Sequence, residues 1–190
     1  MPSVASPVDI SRATLIEGWM SEPELLWLAT QARKHKYIVE FGSFHGRSAR
    51  ALADNMMPGG KLWCVDPWSP NYNINYWMNK DNPHVISTAV MPYFCENLKD
   101  HIEAGRVIPV REFSHRFKLP QKVQMVFIDG DHLAESVKKD IRRGFDLLST
   151  GGLLCGHDYD APGWPDVREV VSSLIADFEV ENTIWSTVKS

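Results

Sequence analysis

Groups that can do chemistry recur where four apolar runs of this 190-residue chain end. These groups are Glu40, Asp66, Asp129 followed by Asp131, and Asp158 with its neighbour His157. Carboxylates and imidazoles can accept hydrogen bonds from hydroxyls, take up a proton as general bases, or bind a divalent cation. If the runs are parallel strands of one sheet, their carboxyl ends meet at one edge, and the groups share a site.

Two glycines follow the first apolar run, "YIVEF", and precede a helical stretch, "RSARALADN". This order predicts a strand that turns into a helix around a ligand, with Gly42 and Gly46 letting the backbone approach closely. A pyrophosphate would need neutral or positive surroundings there, and Glu40 is negative. S-adenosylmethionine fits better, because its ammonium and sulfonium groups are cationic and its ribose offers two hydroxyls. Asp66, 20 residues after Gly46, stands where an acid commonly binds ribose.

Simpler interpretations stay open for these acids. Glu40 could cap the following turn, and Asp66 before Pro67 could be an ordinary turn former. Asp129 could accept backbone N–H bonds within its own loop. Asp131 could be the N-cap of the helix that begins near Leu133.

A metal site is the second hypothesis for this edge. Adjacent strands lie about 4.8 Å apart, so Asp129, His157 and Asp158 could meet around one divalent ion. Magnesium prefers oxygen ligands, whereas imidazole suits manganese, iron or zinc. The candidates are therefore magnesium, manganese or another divalent ion, and the histidine suits manganese, iron or zinc better.

The elements that must position these groups alternate between helix and strand. Strands are predicted over 37–41, 61–66, 106–110, 123–129 and 153–158, and two short ones join at Glu181-Asn182. Helices are predicted over 22–35, 46–55, 84–102, 133–148 and 166–177. This alternation predicts a single α/β domain over 1–190, with a parallel sheet covered by helices on both faces. Residues 1–35 form its N-terminal helical segment, and the aromatic, proline-bounded 67–83 form a lid loop suited to stacking on a planar or sugar acceptor.

The stretches "VEFGSFHGRS", "LWCVDPWS", "VFIDGDHLAESVKKDI" and "LLSTGGLLCGHDY" resemble class I S-adenosylmethionine-dependent methyltransferases, most closely their methyltransferase 24 type group. The similarity covers nearly the whole chain and implies a Rossmann-like, seven-stranded, mostly parallel sheet with an antiparallel last strand. One departure is Phe44, where many class I enzymes have glycine. The resemblance implies cofactor contacts at Glu40, Gly42, Ser43, Phe44, Gly46, Asp66 and Asp129, and near Ser114 for the adenine, with Glu112 and Phe113 as alternatives.

The same resemblance suggests how a methyl group would be transferred. Asp131 follows Asp129 in a D-x-D arrangement found in similar sugar methyltransferases and is the first choice as general base. His132 and His157 are the alternatives. The predicted activity is O-methylation of a small polar, glycosylated or phenolic acceptor, with assistance from a divalent metal as an option.

Composition and charge argue against several other classes of function. A net charge of -4 and a pI near 6.0 argue against a nucleic-acid or membrane-surface partner. The N-terminus lacks a secretory signal and no apolar run is long enough to span a membrane, so the expected location is the cytoplasm. Two rivals remain: a nicotinamide-dependent oxidoreductase, disfavoured because G-x-G-x-x-G is missing, and a cofactor-binding domain without turnover. Oligomeric state is not encoded in any pattern of the chain.

Overall fold

A seven-stranded sheet organises the computed structural model, which describes residues 7–69 and 90–190. The strands are β1 (Tyr37–Phe41), β2 (Lys61–Asp66), β3 (Val107–Arg111), β4 (Val123–Ile128), β5 (Leu148–Gly156), β6 (Glu179–Glu181) and β7 (Ile184–Val188). Their order is β3-β2-β1-β4-β5-β7-β6. β1 to β5 pair in parallel, and β7 runs antiparallel to both of its neighbours. The predicted Rossmann-like architecture is confirmed.

Helices cover both faces of the sheet. They are α1 (Glu22–Ala32), α2 (Arg47–Asn55), α3 (Val90–Asn97), α4 (Lys99–Glu103), α5 (Ala134–Leu147) and α6 (Pro165–Leu174). One core packs Leu28 of α1 and Leu52 of α2 against the sheet. The core on the opposite face contains Ile141 of α5 and Val171 of α6. β1 lies between these cores and is continuously apolar except for Glu40, as expected for a central parallel strand.

Two predicted elements differ most from the structure, while most other ends differ by one to three residues. The strand predicted over 153–158 begins earlier, at Leu148, and the "TGG" expected to end the preceding helix lies inside it. The pairing register shifts between Val123 and Met125, and Gly151 has a φ of +77°, so this stretch is an irregular strand that glycine permits. The helix predicted over 84–102 is divided at Leu98 into α3 and α4, and residues 84–89 lie outside the described part of the chain.

The segment before α1 is fixed against the start of α2. The Arg47 side chain donates hydrogen bonds to the backbone carbonyls of Ile16 (2.7 Å), Met20 (2.9 Å) and Thr14 (3.1 Å). α1 then begins with a capping box between Ser21 and Glu24. These contacts place the N-terminal segment beside the carboxyl edge of the sheet.

Most of the predicted lid, from residue 70 onward, lies outside the described residues. Trp68 precedes it and is buried, with its ring 4.9 Å from that of Phe94 and its indole N–H donated to the Phe44 carbonyl at 3.0 Å. In this position Trp68 anchors the chain after β2 instead of stacking on an acceptor. Within 7–69 and 90–190, the helices are too short or too polar to cross a membrane.

Candidate functional site

A cavity of about 840 Å³ opens at the carboxyl ends of the parallel strands. Its size lies within the range of small-molecule and cofactor sites, about 300–1,000 Å³. The predicted site residues among its walls are Gly42, Ser43, Phe44, Asp66, Ser114, Asp129, Asp131, His132, His157 and Asp158. The structure therefore brings together the groups that the strand-end rule places at one edge.

Asp66 joins the end of β2 to the glycine loop that follows β1. Its Oδ2 accepts the backbone N–H bonds of Ser43 (2.9 Å) and Phe44 (3.0 Å), and its Oδ1 accepts that of Trp68 (2.6 Å). Burial raises the pKa of Asp66, and these three bonds oppose the rise. A carboxylate has about four lone-pair sites, so the three N–H groups leave room for about one ligand hydroxyl.

Glycine is required in this loop for steric reasons. Gly42 has a φ of +83°, and a Cβ there would lie 2.0 Å from the carbonyl oxygen of Asp129. Gly46 has a φ of +91°, and a Cβ there would lie 2.4 Å from the side chain of Leu98. Gly42 lies at the cavity, whereas Gly46 packs α2 against α3 and is not part of the cavity wall. A direct cofactor contact at Gly46 stays a prediction.

Glu40 lies beneath the loop, fully buried. Its carboxylate accepts hydrogen bonds from the hydroxyls of Ser43 and, at 2.7 Å, Ser48. Burial raises the pKa of Glu40 to about 7 although the two hydroxyl bonds oppose the shift. Glu40 is not part of the cavity wall, so its visible role is to shape the loop, and a direct cofactor contact there also stays a prediction.

Phe44 adopts a glycine-like backbone conformation. Its φ is +44°, in the left-handed region that costs a residue with a side chain roughly 1–2 kcal/mol. Its ring stacks on His45 (centroids 3.8 Å apart) and contacts Trp19 (5.0 Å). The chain thus keeps the loop geometry where many class I enzymes have glycine, and aromatic packing holds the strained residue.

His157 follows β5 and lies among three carboxylates. Its Nδ1 is 3.1 Å from Asp158 and 3.4 Å from Asp129, and its Nε2 is 3.3 Å from Glu24 of α1. Burial alone would lower the pKa of His157, but Asp129 and the other two carboxylates raise it well above its usual value. The structure thus places His157 beside Asp129 and Asp158, the two carboxylates with which it was predicted to bind a metal ion, and that use stays a prediction.

His132, not His157, is grouped with the two carboxylates at the cavity. One ligand atom from each of Asp129, His132 and Asp158 lies within 4.8 Å of the others. His132 Nε2 is 2.7 Å from Asp158 Oδ2, and its ring stacks on Trp164 at 4.3 Å. One imidazole and two carboxylates form a mixed nitrogen and oxygen donor set that fits manganese, iron or zinc.

Asp131 lies at the cavity wall where α5 begins. Its Oδ1 accepts the backbone N–H of Leu133 at 3.2 Å, and its Oδ2 accepts the hydroxyl of Ser136 at 2.7 Å. The N-cap of α5 is Leu133, so Asp131 is not the N-cap that was the alternative interpretation, and its bonds tie the preceding loop to the start of the helix. They also hold the carboxylate at the cavity, so its use as a base stays a prediction.

Three residues of this region were not predicted as site residues from the sequence. Asp140 is buried at the cavity. The sequence feature that could have identified it is a carboxylate on the apolar face of α5, beside Ile141. Glu24 is buried under His157; its visible signal, the capping-box spacing "SEPE", points only to a helix start. Trp19 reaches the cavity from the N-terminal segment, and no pattern in the chain marks it.

Comparisons with known proteins agree with this geometry. A family model described as a methyltransferase domain matches residues 39–159, more than half of the chain. An uncharacterized protein, R132, of Acanthamoeba polyphaga mimivirus is 25% identical over 146 residues, 74% of this chain. The chain spans only 60% of the length of that relative.

Solved methyltransferase structures share the fold. An O-methyltransferase of Bacillus cereus, in complex with S-adenosylhomocysteine (SAH), has a TM-score of 0.66 at 15% identity, covering 98% of this chain and 94% of that one. A candidate rRNA methylase of Clostridium thermocellum has a TM-score of 0.64 at 13% identity, covering 90% of this chain and 100% of that one. At these identities the likeness establishes the architecture alone.

Proposed function

Because this chain belongs to the methyltransferase-domain family, we propose that it transfers the methyl group of S-adenosylmethionine to a hydroxyl of a small acceptor. The observation that carries the proposal is the pair of hydrogen bonds by which Asp66 holds the glycine loop at the cavity wall. Asp66 has one carboxylate lone pair left for a ribose hydroxyl. Gly42 has no side chain and therefore lets the ligand approach the backbone. The acidic surroundings suit a cationic donor and disfavour pyrophosphate.

The proposed reaction is an in-line displacement at the sulfonium methyl group. The acceptor oxygen forms a bond to the methyl carbon while the carbon–sulfur bond breaks, and its electron pair stays on sulfur, leaving neutral SAH. The hydroxyl proton passes to the Asp131 carboxylate, with His132 as the alternative base. General-base assistance contributes about a hundredfold or more, and the alignment of donor and acceptor contributes further.

Metal assistance is part of the proposal because the donor set fits. Asp129, His132 and Asp158 would hold a divalent ion at the ends of β4 and β5. A bound ion would lower the pKa of the acceptor hydroxyl. Asp131, which is not one of these three ligands, would still receive the proton.

The cavity walls favour an uncharged or cationic ring-containing acceptor. Trp19 lines the cavity from the N-terminal segment and is 69% exposed. Trp164 lines another part of the cavity, where it stacks on His132. Aromatic walls with polar neighbours suit planar phenols and sugars. Asp129, Asp131 and Asp158 would repel a phosphate group placed among them, so we propose a phenolic or glycosylated small molecule ahead of RNA.

The decisive experiment is calorimetric titration of the protein with SAH, NADH and NAD⁺, followed by a transfer assay with methyl-labelled S-adenosylmethionine. The proposal expects SAH binding and labelled product from at least one member of a panel of phenols, glycosides and RNA. Tighter binding of NADH would favour the oxidoreductase. SAH binding without transfer to any acceptor class would favour a non-catalytic domain, and label found only in RNA would replace the small-molecule acceptor.

A further inference from the structure

Glu24 is a buried carboxylate beside the candidate site that the proposed reaction does not use. It belongs to the first turn of α1 and is 5% exposed. Its Oε1 lies 3.3 Å from Nε2 of His157. The polar groups that contact it within 7–69 and 90–190 belong to Ser21, Thr183 and His157. Only His157 among them lines the cavity, so Glu24 reaches the site through this imidazole ring.

Fixed donors occupy most of the positions around the Glu24 carboxylate. Oε2 accepts the backbone N–H and the hydroxyl of Ser21, both at 2.7 Å. Oε1 accepts the hydroxyl of Thr183, just before β7, at 2.5 Å. A carboxylate has about four lone-pair sites, so these three donors leave about one. Nε2 of His157 lies beside the oxygen that carries it.

The other nitrogen of the His157 ring faces the candidate reaction centre. Nδ1 lies 3.1 Å from Asp158 Oδ2 and 3.4 Å from Asp129 Oδ1. The backbone N–H of His157 donates to the carbonyl of Ile128 at 3.0 Å, which fixes the end of β5 against β4. A ring turned by half a rotation would present carbon atoms to these carboxylates, so the contact with Glu24 selects the orientation in which both nitrogens meet an acid.

Asp158 is the carboxylate that most needs such support. Its φ is +63°, in the left-handed region that disfavours residues with a side chain. A strained residue persists where the surrounding structure holds it in place. Asp158 Oδ2 lies 2.7 Å from Nε2 of His132 and 3.1 Å from Nδ1 of His157. Two imidazoles therefore hold this carboxylate at the cavity, and Glu24 fixes one of them from α1.

We propose that Glu24 is a positioning residue for methyl transfer, which acts through His157 to hold the carboxylates of Asp129 and Asp158 in their working arrangement. The inference rests on the proposed function and extends it to a side chain outside the cavity. Outer partners of this kind change ion affinity or activity by about 10–100-fold when they are replaced. They do so without contacting the reactants.

A purely structural role makes a different prediction. Glu24 also completes the capping box of α1 and bonds Thr183, so its replacement should lower stability in either case. If that were its whole role, a folded variant would keep its activity, and substitutions of Glu24 and His157 would act independently. If Glu24 acts through His157, its replacement matters only while the imidazole is present.

The test is a double-mutant cycle on methyl transfer to the acceptor that yields labelled product in the panel assay. Glu24→Gln, nearly isosteric, should lower kcat about tenfold or more and leave the acceptor KM and the SAH dissociation constant within about threefold. His157→Asn should lower kcat at least as much, and the combined variant should lie within about threefold of His157→Asn alone. Glu22→Gln, the same substitution at an exposed position of the same helix turn, should keep the wild-type kcat, as should Ser21→Ala, which removes one cap hydroxyl.

Manganese provides a readout that needs no turnover. In titrations with manganese alone, followed by electron paramagnetic resonance, Glu24→Gln should bind the ion at least about tenfold more weakly than the wild type and Glu22→Gln. Thermal unfolding establishes that each variant is folded. If Glu24→Gln does not fold, Thr183→Val, which deletes the hydroxyl bonded to Oε1, should lower kcat and manganese affinity in the same direction.

The outcomes separate this inference from the proposed function. Wild-type kcat in a folded Glu24→Gln, or losses that multiply in the combined variant, would overturn the positioning role and leave the methyltransferase proposal standing. A wild type that transfers no methyl group, but whose manganese affinity falls in Glu24→Gln and not in Glu22→Gln, would overturn the proposed function and support the positioning role. A wild type that neither transfers methyl groups nor binds manganese would overturn both.

Discussion

The carboxylate of Asp66 lies 2.9 Å from the backbone nitrogen of Ser43 and accepts its hydrogen bond. One acid at the end of β2 thereby fixes the loop after β1, because Phe44 donates to the same oxygen. The contact joins the two strand ends that a nucleoside would bridge. Cofactor affinity and loop stability should therefore change together when this side chain is altered.

We expect Asp66→Asn to weaken SAH binding by at least about tenfold and to lower the free energy of unfolding by about 1–3 kcal/mol. An amide has a single acceptor oxygen, so either the N–H of Trp68 or those of Ser43 and Phe44 lose their partner. Calorimetry and urea unfolding measure the two effects. Asp177→Asn, at an exposed position, should change neither. Full SAH affinity in Asp66→Asn would exclude this carboxylate from the cofactor site.

Glu40 should make folding stability depend on pH. Burial raises its pKa to about 7, well above the usual value of a glutamate, so the folded state holds a proton that the unfolded state has already released. The stabilisation is complete below about pH 4.5 and is lost as the pH rises through 7, by on the order of 3 kcal/mol. The Glu40→Gln variant has no carboxyl group to titrate at this position. Subtracting its unfolding free energies from those of the wild type between pH 4.5 and 8 should give a falling curve, and a flat difference would contradict the buried-acid interpretation.

The local patterns of the chain predicted most of the scaffold but only part of the site. β1 and β2 were predicted to the residue because each is a short apolar run bounded by turn signals. The partner of His157 could not be predicted, since Glu24 reaches it from α1, far away in the sequence. His132, the histidine that shares the metal-type cluster with Asp129 and Asp158, was predicted only as a base. Asp140 was missed for the same reason, because its partner Ser114 lies 26 residues away in the sequence and meets it only in the folded chain.

Arg47→Met should release the N-terminal segment from α2. The guanidinium bonds to the carbonyls of Met20 and Ile16 are lost, while the methionine retains much of the apolar stem. We expect a loss of about 2 kcal/mol in unfolding free energy and faster amide hydrogen exchange over residues 13–20. Arg168→Met, in which an exposed ion pair with Asp160 is lost, should cost less than about 1 kcal/mol. Unchanged exchange over 13–20 in Arg47→Met would show that other contacts hold the segment.

Variants of Asp131 and Ser136 can separate catalysis from a structural role at the start of α5. Asp131→Ala should spare SAH binding but lower the rate constant of methyl transfer about a hundredfold or more, because the proton acceptor is removed. Ser136→Ala deletes the hydroxyl bonded to Asp131 at 2.7 Å and leaves the carboxylate in place. It should cost about 1 kcal/mol of stability and retain most of the turnover. Equal losses of turnover in the two variants would identify a structural role at the start of α5, not proton transfer, as the function of Asp131.

The donor set at the cavity predicts which histidine binds a metal ion. Asp129, His132 and Asp158 lie close enough together to share one ion, whereas His157 is committed to three carboxylates. Titration with manganese alone, followed by electron paramagnetic resonance, should show a bound ion in the wild type. His132→Ala should weaken its binding at least about tenfold, since one of three protein ligands is lost. His35→Ala serves as the matched control, because the His35 ring bonds to the Gln31 carbonyl of α1 at 2.8 Å and does not line the cavity.

The same site should then respond to a chelator during turnover. If the ion lowers the pKa of the acceptor hydroxyl, adding EDTA should slow methyl transfer, and manganese should restore the rate in the wild type but not in His132→Ala. SAH affinity should change little, because Asp66, the carboxylate proposed to bind the ribose, is not one of these ligands. Undiminished turnover in EDTA would remove the ion from the reaction. Manganese binding that is equal in wild type and His132→Ala would place the ion elsewhere.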